Sequence, residues 1–187
     1  GLSGEVSRDS FEGILNGTSN YILSAMERSG EDFGETLAEA QRLGYAEADP
    51  ALDVDGGDAA HKLAILAALA FGVRPRFEEV EIEGIRDVRA ADIAQAERLG
   101  YKIRLVAMAD MVDRTGEAPA LLQRVRPCLL PADHLLAGID GPTNAVLTLG
   151  DQSGPILIQG AGAGSATAGA WRRGVAGGRA VGGGELL

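Results

Sequence analysis

The stretch Phe11-Glu-Gly-Ile-Leu-Asn-Gly-Thr-Ser-Asn-Tyr-Ile-Leu23 sets the pattern from which the rest of the chain is read. Phe11 to Leu15 is a short apolar strand, and Asn16-Gly17 breaks it. Thr18 or Ser19 can then cap a helix that runs through Tyr21, Ile22, Leu23 and Met26 and stops at Ser29-Gly30. A strand thus delivers a Gly-Thr turn directly onto a helix start.

Working outward, a second helix fits Phe33 to Leu43. Leu37, Ala40 and Leu43 recur about one turn apart, and Gly44 can take a left-handed cap. The next segment, Tyr45-Ala-Glu-Ala-Asp-Pro-Ala-Leu-Asp-Val-Asp-Gly-Gly-Asp58, reads as an acidic loop. Carboxylates stand at 47, 49, 53, 55 and 58, and Pro50 with the glycine pair excludes a regular element. Asp55 is placed to cap a helix from about Gly56 to Phe71 that is apolar on nearly every side and ends at Gly72. Val80 to Ile85 alternates as a half-exposed strand does, Ala90 to Leu99 is an amphipathic helix stopped by Gly100, and Tyr101 to Met111 reads as a buried strand. Leu121 to Leu130, Gly138 to Ile139, Ala145 to Leu149 and Pro155 to Ile158 are further strands, with Gly141-Pro142 and Gly150-Asp151 as breaks. Helices lead and strands dominate afterwards, without a repeat. That order predicts an α+β fold: a mixed, largely antiparallel sheet covered on one face by helices.

The 187 residues suffice for one domain that buries roughly two thirds of its unfolded surface. The 17 basic and 27 acidic residues leave a formal charge of −10, which argues against nucleic acid or an anionic membrane as partner. The single cysteine, Cys128, can form no internal disulfide and fits a reducing compartment, so the cytoplasm is the expected location. No basic start followed by an apolar run opens the chain. The longest apolar run, Leu63 to Phe71, is far short of the ~20 residues a membrane helix needs.

Only two lysines occur, Lys62 and Lys102. Lys62 opens the apolar run, four residues after Asp58, and on a helix the pair shares a face with Ile65, Leu66 and Leu69. Two readings fit that spacing equally. One is an ion pair at a helix start, worth about a few tenths of a kcal/mol. The other is a partly desolvated amine among carboxylates, where a proton can be handled near neutral pH.

Other motifs carry less. Counted from Asp53, the twelfth position is Ala64 where a calcium loop requires a bidentate Glu. Gln159-Gly160-Ala-Gly162-Ala-Gly164-Ser follows a strand as a phosphate-binding turn does, but too little chain follows for a nucleotide-binding domain, and a tight turn into a C-terminal helix reads better. His61 and His134 lack a second His or Cys at ligand spacing, so no metal site is expected, and Cys128 reads as packing.

Gly13-Ile-Leu-Asn-Gly-Thr-Ser-Asn-Tyr-Ile-Leu23, together with Leu43-Gly-Tyr-Ala-Glu-Ala-Asp-Pro-Ala-Leu-Asp-Val-Asp-Gly-Gly-Asp-Ala-Ala-His-Lys62, closely resembles the catalytic region of homoserine dehydrogenases. The second stretch is similar to the family signature, in which an acidic residue, Asp-Pro, a further Asp, a Gly, an Asp and a Lys keep fixed spacing. The likeness continues through Asp92-Ile93, Leu99 to Ile103, Pro131 to His134, Asn144 to Leu147, Gly150-Asp151 and the run from Gly160 to Gly164. It implies an oxidoreductase that interconverts L-homoserine and L-aspartate 4-semialdehyde with NAD or NADP, on the way to threonine, isoleucine and methionine.

The resemblance also implies residue roles. Lys62 and Asp58 are catalytic, Lys62 lying near the hydroxyl that loses its proton. Glu47 receives the substrate ammonium and Asp53 lies near the hydroxyl end. Tyr45, Gly17 and Thr18 line the substrate pocket, and Gly164 approaches the nicotinamide cofactor. A homodimer through the sheet is implied as well.

Family members carry a Rossmann domain ahead of this region, with a dinucleotide fingerprint and a second active-site lysine, and these 187 residues hold neither. Residues 1–170 therefore correspond to the substrate-binding and dimerisation domain, the cofactor is expected to be held mainly by a domain absent from this chain, and the chain alone is expected not to turn over. A non-catalytic homoserine-binding or dimerisation module is the competing reading. Residues 171–187 are Gly-rich and basic where the family continues as an apolar helix, and are expected to form an atypical, disordered tail.

Overall fold

Strand β1 (Ser10–Ile14) runs into helix α1 (Gly17–Ser29) in the computed structural model, which describes residues 10–112, 118–150 and 154–162. The helix cap lies two positions before Thr18, the earlier of the two expected caps. Asn16, extended at φ −126° and ψ 114°, is the N-cap, and its side-chain oxygen accepts the Ser19 N–H at 2.8 Å. Thr18 and Ser19 fall inside the first turn instead, because a capping oxygen must reach back over the two or three N–H groups that follow it. Gly30, at φ 73°, closes the helix in the left-handed conformation. Helix α2 (Phe33–Arg42) follows, with Gly44 turning the chain away.

The acidic segment is not wholly irregular. Pro50 opens a single turn of helix, α3 (Ala51–Val54), because a proline ring at φ −86° suits a helix start where its missing N–H is not needed. Gly56, at φ 87°, then turns the chain into α4 (Gly57–Phe71). Gly56 therefore holds the cap position that Asp55 was expected to fill, and the Asp55 carboxylate turns outward to pair with Arg86. The elbow is pressed onto the sheet by a second glycine. A Cβ at Gly84 would collide with the Val54 carbonyl and lie 2.6 Å from Asp55 Cα, and this close approach lets Ile85 N–H donate to the Val54 carbonyl at 2.8 Å.

Strand β2 (Val80–Ile82), helix α5 (Ala90–Arg98) and strands β3 (Tyr101–Val112), β4 (Ala120–Pro131), β5 (Thr143–Gly150) and β6 (Gly154–Ala161) complete the described elements. The six strands form one sheet in the order β2-β4-β3-β1-β5-β6. Every neighbouring pair is antiparallel except β2 and β4. The α+β architecture is the one the element order implied. β2 is shorter than the expected Val80–Ile85 because the chain leaves the sheet to reach Gly84.

The period of two along β3 divides the faces. Ile103, Leu105, Ala107 and Ala109 meet the helices and join Phe11, Ile22, Leu23, Met26, Leu63 and Val125 in the main core. Val106, Ile14, Leu130, Ala145 and Leu147 form a smaller cluster on the other face, beneath Leu136, Ala137 and Ile139. Gly138–Ile139 is not a strand: Leu135–Gly138 is a 3-10 turn. The carbonyls of Ala137 and Ile139, which a strand would pair, are taken by the buried Arg104 guanidinium at 3.2 Å each. Residues 163–187, with Gly164 and the tail from Trp171, lie outside the described residues.

Candidate functional site

The site forms where the end of β1, the start of α1 and the α3–α4 elbow converge. The burial of Leu15 and Asn16 sinks the strand-to-helix junction into the core edge, and α4 passes beside it. One turn into α4, Lys62 Nζ donates to Asp58 Oδ2 at 2.7 Å and to the Leu15 carbonyl at 3.0 Å. The Lys62 side chain is 44% exposed and that of Asp58 27%, so this pair sits at a solvent boundary, not within the core. An ammonium carries three N–H donors. Two are engaged among the described residues, which leaves the third for an incoming oxygen.

Asn16 ties the carboxylates together. Its Nδ2 donates to Asp53 Oδ1 at 2.7 Å and to Asp58 Oδ2 at 2.8 Å. Ser19 Oγ donates to the Asp53 carbonyl at 2.9 Å, latching the elbow to the first turn of α1. Two carboxylates thus lie within hydrogen-bond reach of a single amide, and one of them also holds the cation. Such a corner can polarise a hydroxyl through the ammonium and accept a cationic or hydroxyl donor through the carboxylates.

The remaining expected residues lie around this corner in differing degrees. Thr18 Oγ1 donates to the Tyr45 carbonyl at 3.1 Å, and the Tyr45 ring stacks on Tyr21 with centroids 4.1 Å apart. Gly17 admits no side chain, since a Cβ would lie 2.8 Å from the Pro142 carbonyl oxygen. Glu47 is exposed, and its carboxylate makes no hydrogen bond or ion pair among the described residues. Its backbone is held by Gln41, whose Nε2 donates to the Glu47 carbonyl at 2.9 Å. Lys62, Asp58 and Asp53 are therefore in one cluster, and Glu47 stands apart from it. Asn16 and Ser19 were missed as site residues. The available signal was an asparagine, among the strongest helix caps, directly before a Gly-Thr pair at a strand end.

Other polar residues sit elsewhere. His134 accepts the Leu136 N–H on Nδ1 at 3.3 Å, so its proton is on Nε2, which points at Glu12 3.0 Å away on the far face of the sheet. Burial pushes the Cys128 thiol up, as for a packing residue. Two clefts, of about 180 Å³ beside Glu83 and Cys128 and about 230 Å³ between α1 and α2, include neither Lys62 nor Asp58. Among the described residues the charged corner is part exposed. Among the described residues no helix is long and apolar enough to cross a membrane, and no group of three or more His, Cys, Asp or Glu is arranged to hold a metal ion.

Known proteins resemble this chain over most of its length. Residues 5–171 match the model of the homoserine dehydrogenase family. A homoserine dehydrogenase from Synechocystis sp. is 55% identical over 157 residues, which are 83% of this chain and 36% of that protein. One from Corynebacterium glutamicum is 44% identical over 179 residues, covering 91% of this chain and 40% of the relative. Among solved structures, the homoserine dehydrogenase of Thiobacillus denitrificans superposes with a TM-score of 0.80 at 49% identity, over 85% of this chain and 36% of that one. A hyperthermophilic archaeal homoserine dehydrogenase in complex with NADPH superposes at 0.64 with 30% identity, over 83% of this chain and 42% of that one. The chain spans about a third of the length of the Synechocystis relative. On the family match and these identities, the chain belongs to the homoserine dehydrogenase family.

Proposed function

We propose that this chain is the substrate-binding and catalytic part of an NAD(P)-dependent oxidoreductase that interconverts L-homoserine and L-aspartate 4-semialdehyde, in the cytoplasmic synthesis of threonine, methionine and isoleucine. The observation that carries this reading is Lys62, held by Asp58 and the Leu15 carbonyl with one N–H free, at the end of the family's acidic signature. Oxidising homoserine takes a proton from the hydroxyl and a hydride, destined for the oxidised nicotinamide, from the same carbon. The free N–H of Lys62 meets the hydroxyl oxygen and stabilises the negative charge that grows there as the proton leaves, a transition-state interaction of the oxyanion-hole kind. Asp58 keeps the ammonium in place, and Asp53, at the hydroxyl end, accepts the hydroxyl's hydrogen bond and takes up its proton. The unpaired Glu47 carboxylate receives the substrate ammonium, and Gly17, Thr18 and Tyr45 line the wall between them.

The described residues do not fit the bulk of a dinucleotide. Its pyrophosphate needs a glycine-rich strand-to-helix turn with room for phosphate, and the one such turn described, at Gly17, is closed by the Pro142 carbonyl. In this reading the cofactor is held mainly by a domain outside the chain, Gly164 approaches the nicotinamide, and the chain alone does not turn over. The same reading assembles a homodimer through the sheet.

Titration calorimetry of L-homoserine into the chain tests the assignment. Binding is expected for the wild type, weakened at least tenfold in Glu47→Gln because the substrate ammonium loses its charged partner. A wild type that takes up no homoserine, or a Glu47→Gln chain that binds it equally well, contradicts the reading.

A further inference from the structure

We infer that Asn16 is a positioning residue of this site: its amide holds Asp58 against Lys62 and keeps Asp53 beside them. The inference rests on the reading that Lys62 acts on the substrate, but its geometry stands by itself. Asn16 is 4% exposed, and every hydrogen of its amide group is used. The oxygen takes the Ser19 N–H at 2.8 Å, and the two N–H groups go to Asp53 and Asp58 at 2.7 and 2.8 Å. Asp58 Oδ2 receives both Asn16 and Lys62, so one carboxylate oxygen is pinned from two sides. The residue before Asn16 supplies the second anchor of Lys62, through the Leu15 carbonyl.

Only asparagine meets this demand. It offers one acceptor and two donors on a rigid planar amide. Aspartate would cap the helix equally well but would set a third carboxylate against two others. Serine would cap it but is too short to bridge both acids, and glutamine carries an extra methylene. A lysine has four rotatable side-chain bonds, and this one is half exposed, so without a fixed Asp58 its ammonium has no reason to keep its direction. The cap of α1 and the aim of the cation are therefore one device.

The presence of only two lysines gives a direct test in the whole chain. With nitrogen-15 in the lysine side chains, the Lys62 and Lys102 ammonium signals are observed separately. Lys102, paired with Glu27 at 2.7 Å near the other end of α1, is the internal control. Asn16→Ser keeps a helix cap and removes the bridge, whereas Asn16→Ala removes both. The expected result is that hydrogen exchange of the Lys62 ammonium quickens at least fivefold in both variants while that of Lys102 stays within twofold. A Lys62 signal unchanged in both variants overturns the proposal. So does loss of the Lys102 signal together with that of Lys62 in Asn16→Ser, since Asn16 would then be holding the fold and not the site. L-Homoserine added to the wild type provides a separate arm. If it fails to shift the Lys62 signal, the functional reading fails and the Asn16 result stands.

Discussion

The two lysines of this chain lie near opposite ends of α1, in ionic clusters that look alike in composition and differ in burial. Around Lys102, Glu27 accepts Lys102 at 2.7 Å and Arg104 at 2.8 Å, and Arg104 is wholly buried. All five guanidinium N–H donors of Arg104 are matched, to Glu27, Asp140 and the carbonyls of Ile103, Ala137 and Ile139. Around Lys62, two of three donors are matched, and the pair is part exposed. A buried guanidinium with every donor satisfied can only hold structure together, because any ligand would have to displace an existing partner. A cluster with one donor left over has something to offer a substrate.

The comparison can be broken first at Arg104. Arg104→Ala leaves Glu27 with Lys102 alone and strands three carbonyls that the guanidinium had satisfied, and is expected to cost about 3–5 kcal/mol, read as loss of cooperative unfolding or a steep fall in the denaturation midpoint. An Arg104→Ala chain within 1 kcal/mol of wild type would show that this network is not structural. Lys62→Met, by contrast, is expected to cost under about 1 kcal/mol, since a part-exposed ion pair contributes little net stability.

Acid sharpens the same contrast. Burial pushes the Glu27 carboxyl up, but the hydrogen bonds from Lys102 and Arg104 outweigh it and hold the group below the usual carboxylate range. A carboxyl depressed in the folded state stabilises at pH above its unfolded value, and that stability is lost as pH falls through the folded value. The denaturation midpoint should therefore drop below about pH 4, with a smaller drop in Glu27→Gln. Glu12, on the open face of the sheet, runs the other way. Burial raises its carboxyl despite the nearby His134, so its contribution is lost as pH rises through the carboxylate range. Glu12→Gln, which keeps an acceptor for His134, should raise the midpoint slightly at pH 7 and leave it unchanged near pH 4. An equal shift at both values would show that the charge of Glu12 is not the cause. Smallest of all is Ser19→Ala. It removes one hydrogen bond from the elbow to α1, and is expected to cost about 1 kcal/mol by chemical denaturation.

Much of the fold was readable because its cues are local. The apolar stretch of Tyr101 to Met111, the stop signals at Gly30, Gly44, Gly72 and Gly100, and the order of helices before strands each depend on a few neighbouring residues, and each appears as expected. The errors arise where a partner far along the chain decides. Gly138–Ile139 has strand composition, but Arg104, some 35 positions earlier, takes its carbonyls. Asp55 has the right type and place for a cap, but Arg86 draws it outward while Gly56 makes the turn. The site divides in the same way. The Asp58–Lys62 pair follows from helical spacing alone, whereas the bridge from Asn16 to Asp53 and Asp58 spans 37 and 42 positions and has no local trace beyond a capping residue.

The central claim is that Lys62 serves chemistry and Lys102 serves structure. Placing this chain in the Synechocystis relative, in exchange for the segment it matches, gives a protein in which oxidation of L-homoserine and thermal unfolding can be read on the same sample. Lys62→Met is expected to lower kcat about 10³-fold with the unfolding midpoint nearly unchanged, and Lys102→Met is expected to lower the midpoint with kcat within about threefold of wild type. A Lys62→Met protein that oxidises homoserine at a near-normal kcat would contradict the account.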